Sequence, residues 1–217
     1  SALGLLGATL INAGGSISYA GSAGLQIQAG QLLGSKGAIA TAGDIVLQLG
    51  RVDHQQAQLI ANQITLDAAA FDNRGGSVVA TGQQANLLRV EDHLDNGEGG
   101  TLASNGDLLI RTALLGNAQG TVQQAGAGTL RIEAAELQGR GGTLLSNGSL
   151  LLQGDSTQLA GGTTAAQRID IDTGDLVTAG GTLTSASTDV LRLQVARTLD
   201  NSGGSIGSNG ALSLDTG

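Results

Sequence analysis

The side chains able to do chemistry in this chain are few. His54 and His93 are its only histidines, 39 positions apart. Both fall beside predicted chain reversals and outside the apolar rows, so surface positions are expected for both. Asp170 and Asp172 flank Ile171. If Ile171 points inward on a strand, both carboxylates point outward on one face. Such a pair could hold a cation or serve as general acid and base, with Arg168 as the nearest base in sequence. Glu133, Glu136, Asp155 and Asp172 would also come near one another if successive segments stack laterally. A solvated acidic face is the simpler reading of both sets. No Gly-x-Ser-x-Gly elbow accompanies a His/Asp set, no phosphate-cradling glycine loop with Lys-Ser/Thr occurs, and no Gly-Gly-x-Gly-x-Asp series binds calcium. Cysteine is absent, which removes disulfides, zinc thiolates and thiol nucleophiles. The reading assigns no catalytic residue, no cofactor-binding residue and no metal ligand, and expects no cofactor and no enzymatic activity.

Composition narrows the partners. The net charge is −8 and Lys36 is the only lysine, which argues against nucleic acid and anionic membrane surfaces. No apolar run is long enough to span a bilayer. The opening Ser1-Ala2-Leu3-Gly4 does not read as a signal peptide. Of 217 residues 37 are glycine, Pro, Met and Trp are missing, and Tyr19 and Phe71 are the only aromatics. Hydrophobic residues still make up 40%, too many for a disordered chain. Aliphatic side chains must therefore fill an interior without aromatic bulk.

The elements that would do so recur. A small residue followed by Ser/Thr and an aliphatic, as in Gly15-Ser16-Ile17, or a variant of that pattern, returns at Gly37, Ala57, Gly76, Gly100, Gly120, Gly142, Gly162, Gly181 and Gly204. The spacings are 22, 20, 19, 24, 20, 22, 20, 19 and 23. Five residues before the anchor comes an apolar residue such as Leu32, Phe71, Leu115 or Leu176; Leu94 stands six before, because Glu98 is inserted. Later in each unit an i, i+2 pair marks one face of a strand: Leu25/Ile27, Ile45/Leu47, Ile64/Leu66, Leu88/Val90, Leu108/Ile110 and so on to Leu193/Val195 and Leu212/Leu214. A shift of 105 aligns Asn12–Gly97 with Asn117–Ser202 without a gap, with 24 of 86 pairs identical. The reading is one domain over residues 1–217, made of two five-turn blocks, about 12–116 and 117–217, and a fragment of a longer protein because both ends fall in mid-repeat.

Period-2 alternation and frequent glycine exclude a helical solenoid, and the Leu-x-x-Leu-x-Leu frame of leucine-rich repeats is missing. A parallel β-helix remains: an all-β solenoid of about ten turns of roughly 21 residues. Paired glycines such as Gly75-Gly76 and Gly203-Gly204 would turn its corners, and Asn12, Asn73, Asn96, Asn117 and Asn201 before them could stack in ladders.

Phe71-Asp72-Asn73-Arg74-Gly75-Gly76-Ser77-Val78, Leu94-Asp95-Asn96-Gly97-Glu98-Gly99-Gly100-Thr101-Leu102 and Leu199-Asp200-Asn201-Ser202-Gly203-Gly204-Ser205-Ile206 resemble the haemagglutinin repeats of filamentous-haemagglutinin-like two-partner-secretion exoproteins, which include adhesins and contact-dependent growth inhibition effectors of Gram-negative bacteria. The likeness runs over essentially the whole chain; the units at Val52–Leu66 and Thr157–Ile171 depart most from the frame. It implies a right-handed β-helix and a role as a filament or stalk segment on the bacterial surface or secreted. It also implies an outer-membrane secretion partner during export and a host or target-cell receptor engaged through other regions. A monomeric rod with end-to-end association open to it fits this picture. Two other readings stay in view: a β-helical polysaccharide lyase or hydrolase, and an autotransporter passenger segment.

Overall fold

The computed structural model describes residues 2–217. Nineteen strands, all paired in parallel, form one continuous ladder with no helix among the described residues. Each turn has a long strand, a tight corner, a four-residue strand and a loop. Ile45–Asp53 and Gln58–Ala61 make one such turn, and Ile64–Asp72 and Ser77–Ala80 the next. In two later turns the loop is regular enough for the short and long strands to run together, as Thr143–Gln158 and Thr163–Val177. Ten such turns and a last strand, Leu212–Thr216, build a parallel β-solenoid. At about 4.8 Å per turn the coil rises about 48 Å.

The alternation of side chains produces the interior. Within Ile64–Asp72 the residues Ile64, Leu66 and Ala68 point inward and are buried, and the residues between them are half-buried on the outside. Parallel register then stacks like on like. Leu32 pairs Val52, then Phe71, Leu94, Leu115 and Leu137, every one buried. That is five steps from Leu32 to Leu137, so the 105-residue shift equals five turns. A second column runs Ile39, Leu59, Val78, Leu102, Val122 and Leu144. A side chain in such a column covers the ones before and after it, and no turn closes its core alone. Thr157 stands in the first column where the turns before it have an apolar side chain, and its Oγ1 meets Thr173 Oγ1 at 3.1 Å, so the buried hydroxyls satisfy each other.

In two turns the register aligns a different pair with the neighbouring rows. Leu88 and Val90 are both buried on the inner face, as expected, but Leu88 lies opposite Leu66 and Ile110, so Asn86/Leu88 continues the row of Ile64/Leu66 and Leu108/Ile110. Leu193 and Val195 are likewise both buried, and Leu193 lies opposite Ile171 and Leu214, so Leu191/Leu193 continues the row of Ile169/Ile171. Asn86 occupies an aliphatic slot without leaving a polar atom bare. Its Oδ1 accepts from Ile64 N at 2.8 Å, and its Nδ2 donates to Gln84 O and Ser104 Oγ, both at 2.8 Å. Both turns also carry an extra long-strand residue: Ala68 and Ala70 face Val90 and His93, and Thr173 and Asp175 face Val195 and Thr198. These bulges absorb part of the longer 24- and 23-residue spacings.

Candidate functional site

The corner after each long strand explains the Leu-Asp-Asn-x-Gly-Gly frame residue by residue. Phe71, like Leu94, points into the core. The following Asp points outward and closes the turn: Asp72 Oδ1 accepts from Arg74 N at 3.2 Å, Asp95 Oδ1 from Gly97 N at 2.9 Å, and Asp200 Oδ1 from Ser202 N at 2.9 Å. Asp53 does the same for Gln55 N at 3.2 Å. The Asn points inward again. The first Gly of the pair takes positive φ, 61° at Gly75, and Gly76 N then donates to Asn73 O at 2.9 Å. The second Gly is required for a different reason: a Cβ on Gly100 would lie 2.6 Å from Asn73 O and 2.8 Å from Asn96 O, inside the stacking distance of the turns. Lys36, Gln56, Glu98 and Gln119 show that a non-glycine can hold the positive-φ position.

Inside the corners the buried asparagines form a hydrogen-bonded ladder. Asn73 Nδ2 donates to Asn96 Oδ1 at 2.7 Å, and Asn96 Nδ2 donates to Asn117 Oδ1 at 2.8 Å. Each also reaches backbone: Asn96 Nδ2 donates to Thr121 O at 3.0 Å, Asn73 Nδ2 to Thr101 O at 3.2 Å, and Asn117 Nδ2 to Thr143 O at 3.3 Å. Asn12 stands apart, donating to Ala38 O at 3.0 Å, because Gly34 occupies the corner between it and the next member. Beyond Asn117 come Gly139 and Leu159. Thr178 then resumes the row, with its hydroxyl donating to Asn201 Oδ1 at 2.8 Å.

The fourth member of the ladder is a histidine. His54 is 2% exposed, against the expectation of a surface position. Val52-Asp53-His54 repeats the geometry of Phe71-Asp72-Asn73, which turns His54 inward over Asn73. Its Nδ1 lies 2.7 Å from Asn73 Oδ1, and its ring stacks on Phe71 with centroids 5.6 Å apart. Burial pushes the imidazole below its ordinary value of 6.5, outweighing the Asn73 side chain, the Gln58 backbone and the Asp53 carboxylate, which favour the charged ring. His93 is half-buried on the outer face, opposite Ala70 and Leu114, in a shallow groove of about 220 Å³ shared with Gln31, Arg51, Asp53 and Asp72.

Among the described residues six of the eighteen Asp and Glu carboxylates are paired with an arginine, five of them across neighbouring turns. The column Asp67, Arg89, Arg111, Glu133, Gln153, Asp172 runs straight along the outer face. Arg89 binds Asp67, and Glu133 sits between Arg111 and Arg131. Arg111 and Arg131 accordingly hold Glu133 below its ordinary value. Arg197 reaches Asp175 at 2.7 Å and lowers it likewise. Partial burial would raise Asp72, but Arg74 at 2.8 Å and Gln55 outweigh it and the net shift is downward. Arg74 also reaches Glu98 at 3.5 Å and Asp95 at 3.6 Å.

The acidic residues singled out in the sequence do not gather. Asp170 and Asp172 do share the outer face, opposite Arg192 and Gln194. Glu133 and Asp172 are two turns apart with Gln153 between them, about 9.6 Å along the axis. Glu136 pairs Ser156 in a different column. Among the described residues no three His, Cys, Asp or Glu side chains are placed to hold a metal ion.

A family model for the haemagglutinin repeat matches residues 1–97, 83–130, 125–194 and 186–217, which together span the chain. The chain belongs to the haemagglutinin-repeat family. Over 71 residues this haemagglutinin-repeat chain is 38% identical to "Toxin CdiA" of Yersinia pestis; the stretch is 33% of this chain and 2% of that protein. No solved structure matches. The corner frame of this chain has a physical cause: one outward cap, one inward ladder residue, one left-handed residue and one residue with little or no side chain.

Proposed function

We propose that this chain is a stalk segment of a large secreted bacterial surface protein, an adhesin or a contact-dependent inhibition effector, exported through a dedicated outer-membrane partner. Its work is mechanical: it holds binding or toxic regions away from the producing cell. The observation that carries this reading is the unbroken parallel ladder, in which apolar columns tie each turn to the next and a buried asparagine row reinforces the turns of Asn73, Asn96 and Asn117. Bending such a rod means parting several ladder bonds and core contacts together. The two five-turn blocks act as one such length, about 24 Å each. The similarity to Toxin CdiA points in the same direction.

We further take the segment to be non-enzymatic. Asp53, Asp72 and Asp95 stack on successive turns, with Arg74 paired to Asp72 and Asp95, and Asp67, Glu133 and Asp175 each have an arginine partner. Neither aromatic ring offers an outer platform for a sugar: Phe71 is buried and Tyr19 packs against the core. Receptor contacts, if made by this segment, would use the loops after the short strands, such as Tyr19–Gly24 and Thr81–Asn86.

The test places the chain between an outer-membrane anchor and a small displayed binding domain, with a membrane dye and a dye on that domain. Energy transfer should report an added separation of about 48 Å with a narrow distribution. The isolated chain should neither adhere to target cells nor release unsaturated products from acidic polysaccharides. A broad, short separation would overturn the stalk reading, and product release would overturn the non-enzymatic one.

A further inference from the structure

The head of the asparagine ladder is built differently from its body. Asn73 spends its amide hydrogens on Asn96 Oδ1 and backbone carbonyls, so its Oδ1 faces His54 and accepts. The proton of neutral His54 therefore sits on Nδ1, and Nε2 carries a lone pair. That Nε2 is buried and makes no hydrogen bond. The turn before it offers Gly34 at this corner, which has no side chain to reach it.

The charged groups around the ring point elsewhere. Asp53, on its own turn, faces outward and caps Gln55 N. Asp72, on the next turn, is held by Arg74 and Gln55. Lys36, on the preceding turn, is exposed at the corner. A second N–H and a positive charge on His54 would thus enter a buried site beside the Phe71 ring, where the Gln58 backbone favours the charge less than burial opposes it.

We propose that His54 is an acid-responsive latch: protonation of its ring uncouples the head of the asparagine ladder and opens the corner at residues 53–58 with its two neighbours, while the other turns stay closed. The sign follows from linkage. An opened corner titrates at the ordinary 6.5, and the closed one below it. As pH falls below about 6.5, the open form binds the proton first, and its population rises, by at most about tenfold per pH unit, until the closed form also binds it. Above 6.5 the latch is fully closed. In a stalk this marks one defined turn as the place that yields first in an acidic compartment.

Hydrogen exchange of the whole 217-residue chain at pH 7.5 and 5.0, corrected for intrinsic rates, tests this. Opening at residues 32–36, 54–58 and 73–77 should rise at pH 5.0, by at least about twofold and at most about thirtyfold, with residues 115–145 unchanged. His54→Asn, which installs the side chain used at the same corner by Asn73, Asn96 and Asn117, should abolish the rise, and His93→Asn should not. A rise that persists in His54→Asn, or one spread over every turn, overturns the proposal. Ring nitrogen shifts of the unaltered protein give a second measure: His54 should stay neutral with the proton on Nδ1 below pH 6.5, and a titration at or above 6.5 would also overturn it.

Discussion

Asn96→Ala should be among the costliest polar substitutions in the chain. Asn96 is fully buried and ties three turns, accepting from Asn73 and donating to Asn117, Gly100 O and Thr121 O. Gly100 O keeps its bond from Thr121 N, and Asn73 keeps Thr101 O, so those groups are not orphaned. The loss consists of two side-chain bonds at about 1 kcal/mol each and the stranding of Asn117 Oδ1, which adds about 1 kcal/mol or more. The sum is about 3 kcal/mol. Asn12→Ala, at the isolated first position with one bond to Ala38 O, should lose about 1 kcal/mol. Urea denaturation at pH 7 reads both as shifts in midpoint at constant slope. Asn96→Asp sharpens the comparison. Its carboxylate would aim negative oxygens at Asn117 Oδ1 and two carbonyls, a repulsion that raises its pKa above the ordinary carboxylate value. Its deficit is therefore greatest at neutral pH and shrinks as pH falls through that raised value. If Asn96→Ala proves as mild as Asn12→Ala, the ladder does not couple the turns and the reasoning fails.

Two further outcomes follow from the corner and the outer face. Gly100→Ala should destabilise by about 3 kcal/mol or more in the same urea assay, because its Cβ collides with backbone of two turns, whereas Gly203→Asn, where nothing lies within 4 Å, should cost about 1 kcal/mol. Glu133 has a folded pKa below its ordinary 4.5, so its contribution is present above pH 4.5 and lost as pH falls below it; Glu133→Gln should flatten the midpoint-against-pH curve in that acid range and leave its shape near pH 7 unchanged.

The period of the solenoid was legible because its cause is local. Aliphatic residues alternate along each strand, and Leu10, Leu32, Phe71 and Leu94 precede their corners at nearly fixed distance. Two strands show where that logic stops short of the register. Asn86 fills an inward slot with a polar side chain, so an apolar count skips it. In the matching turn, Leu191, Leu193 and Val195 all face inward, so apolarity alone cannot choose the pair. Asn86 is intelligible only with Ser104 and Ile64 beside it, and those lie 18 and 22 residues away.

His54 was within reach of the sequence but hidden by residue type. Val52-Asp53-His54-Gln55 occupies the Leu-Asp-Asn-x frame, and position in the frame, not the identity of histidine, decides that the ring turns inward. The arginine–carboxylate pairs across turns were not legible, because loops of different length separate partners 22 residues apart and the register must be known before they can be matched.

The most direct test of the coaxial, in-register stack is a set of spin-label distances on one outer column. The chain has no cysteine of its own, so pairs can be introduced cleanly. Gln48 and Gln153 are five register steps apart, and Gln28 and Gln194 eight. The account predicts backbone separations of about 24 Å and about 38 Å, growing by about 4.8 Å per turn. Separations that do not scale with the number of turns would contradict it.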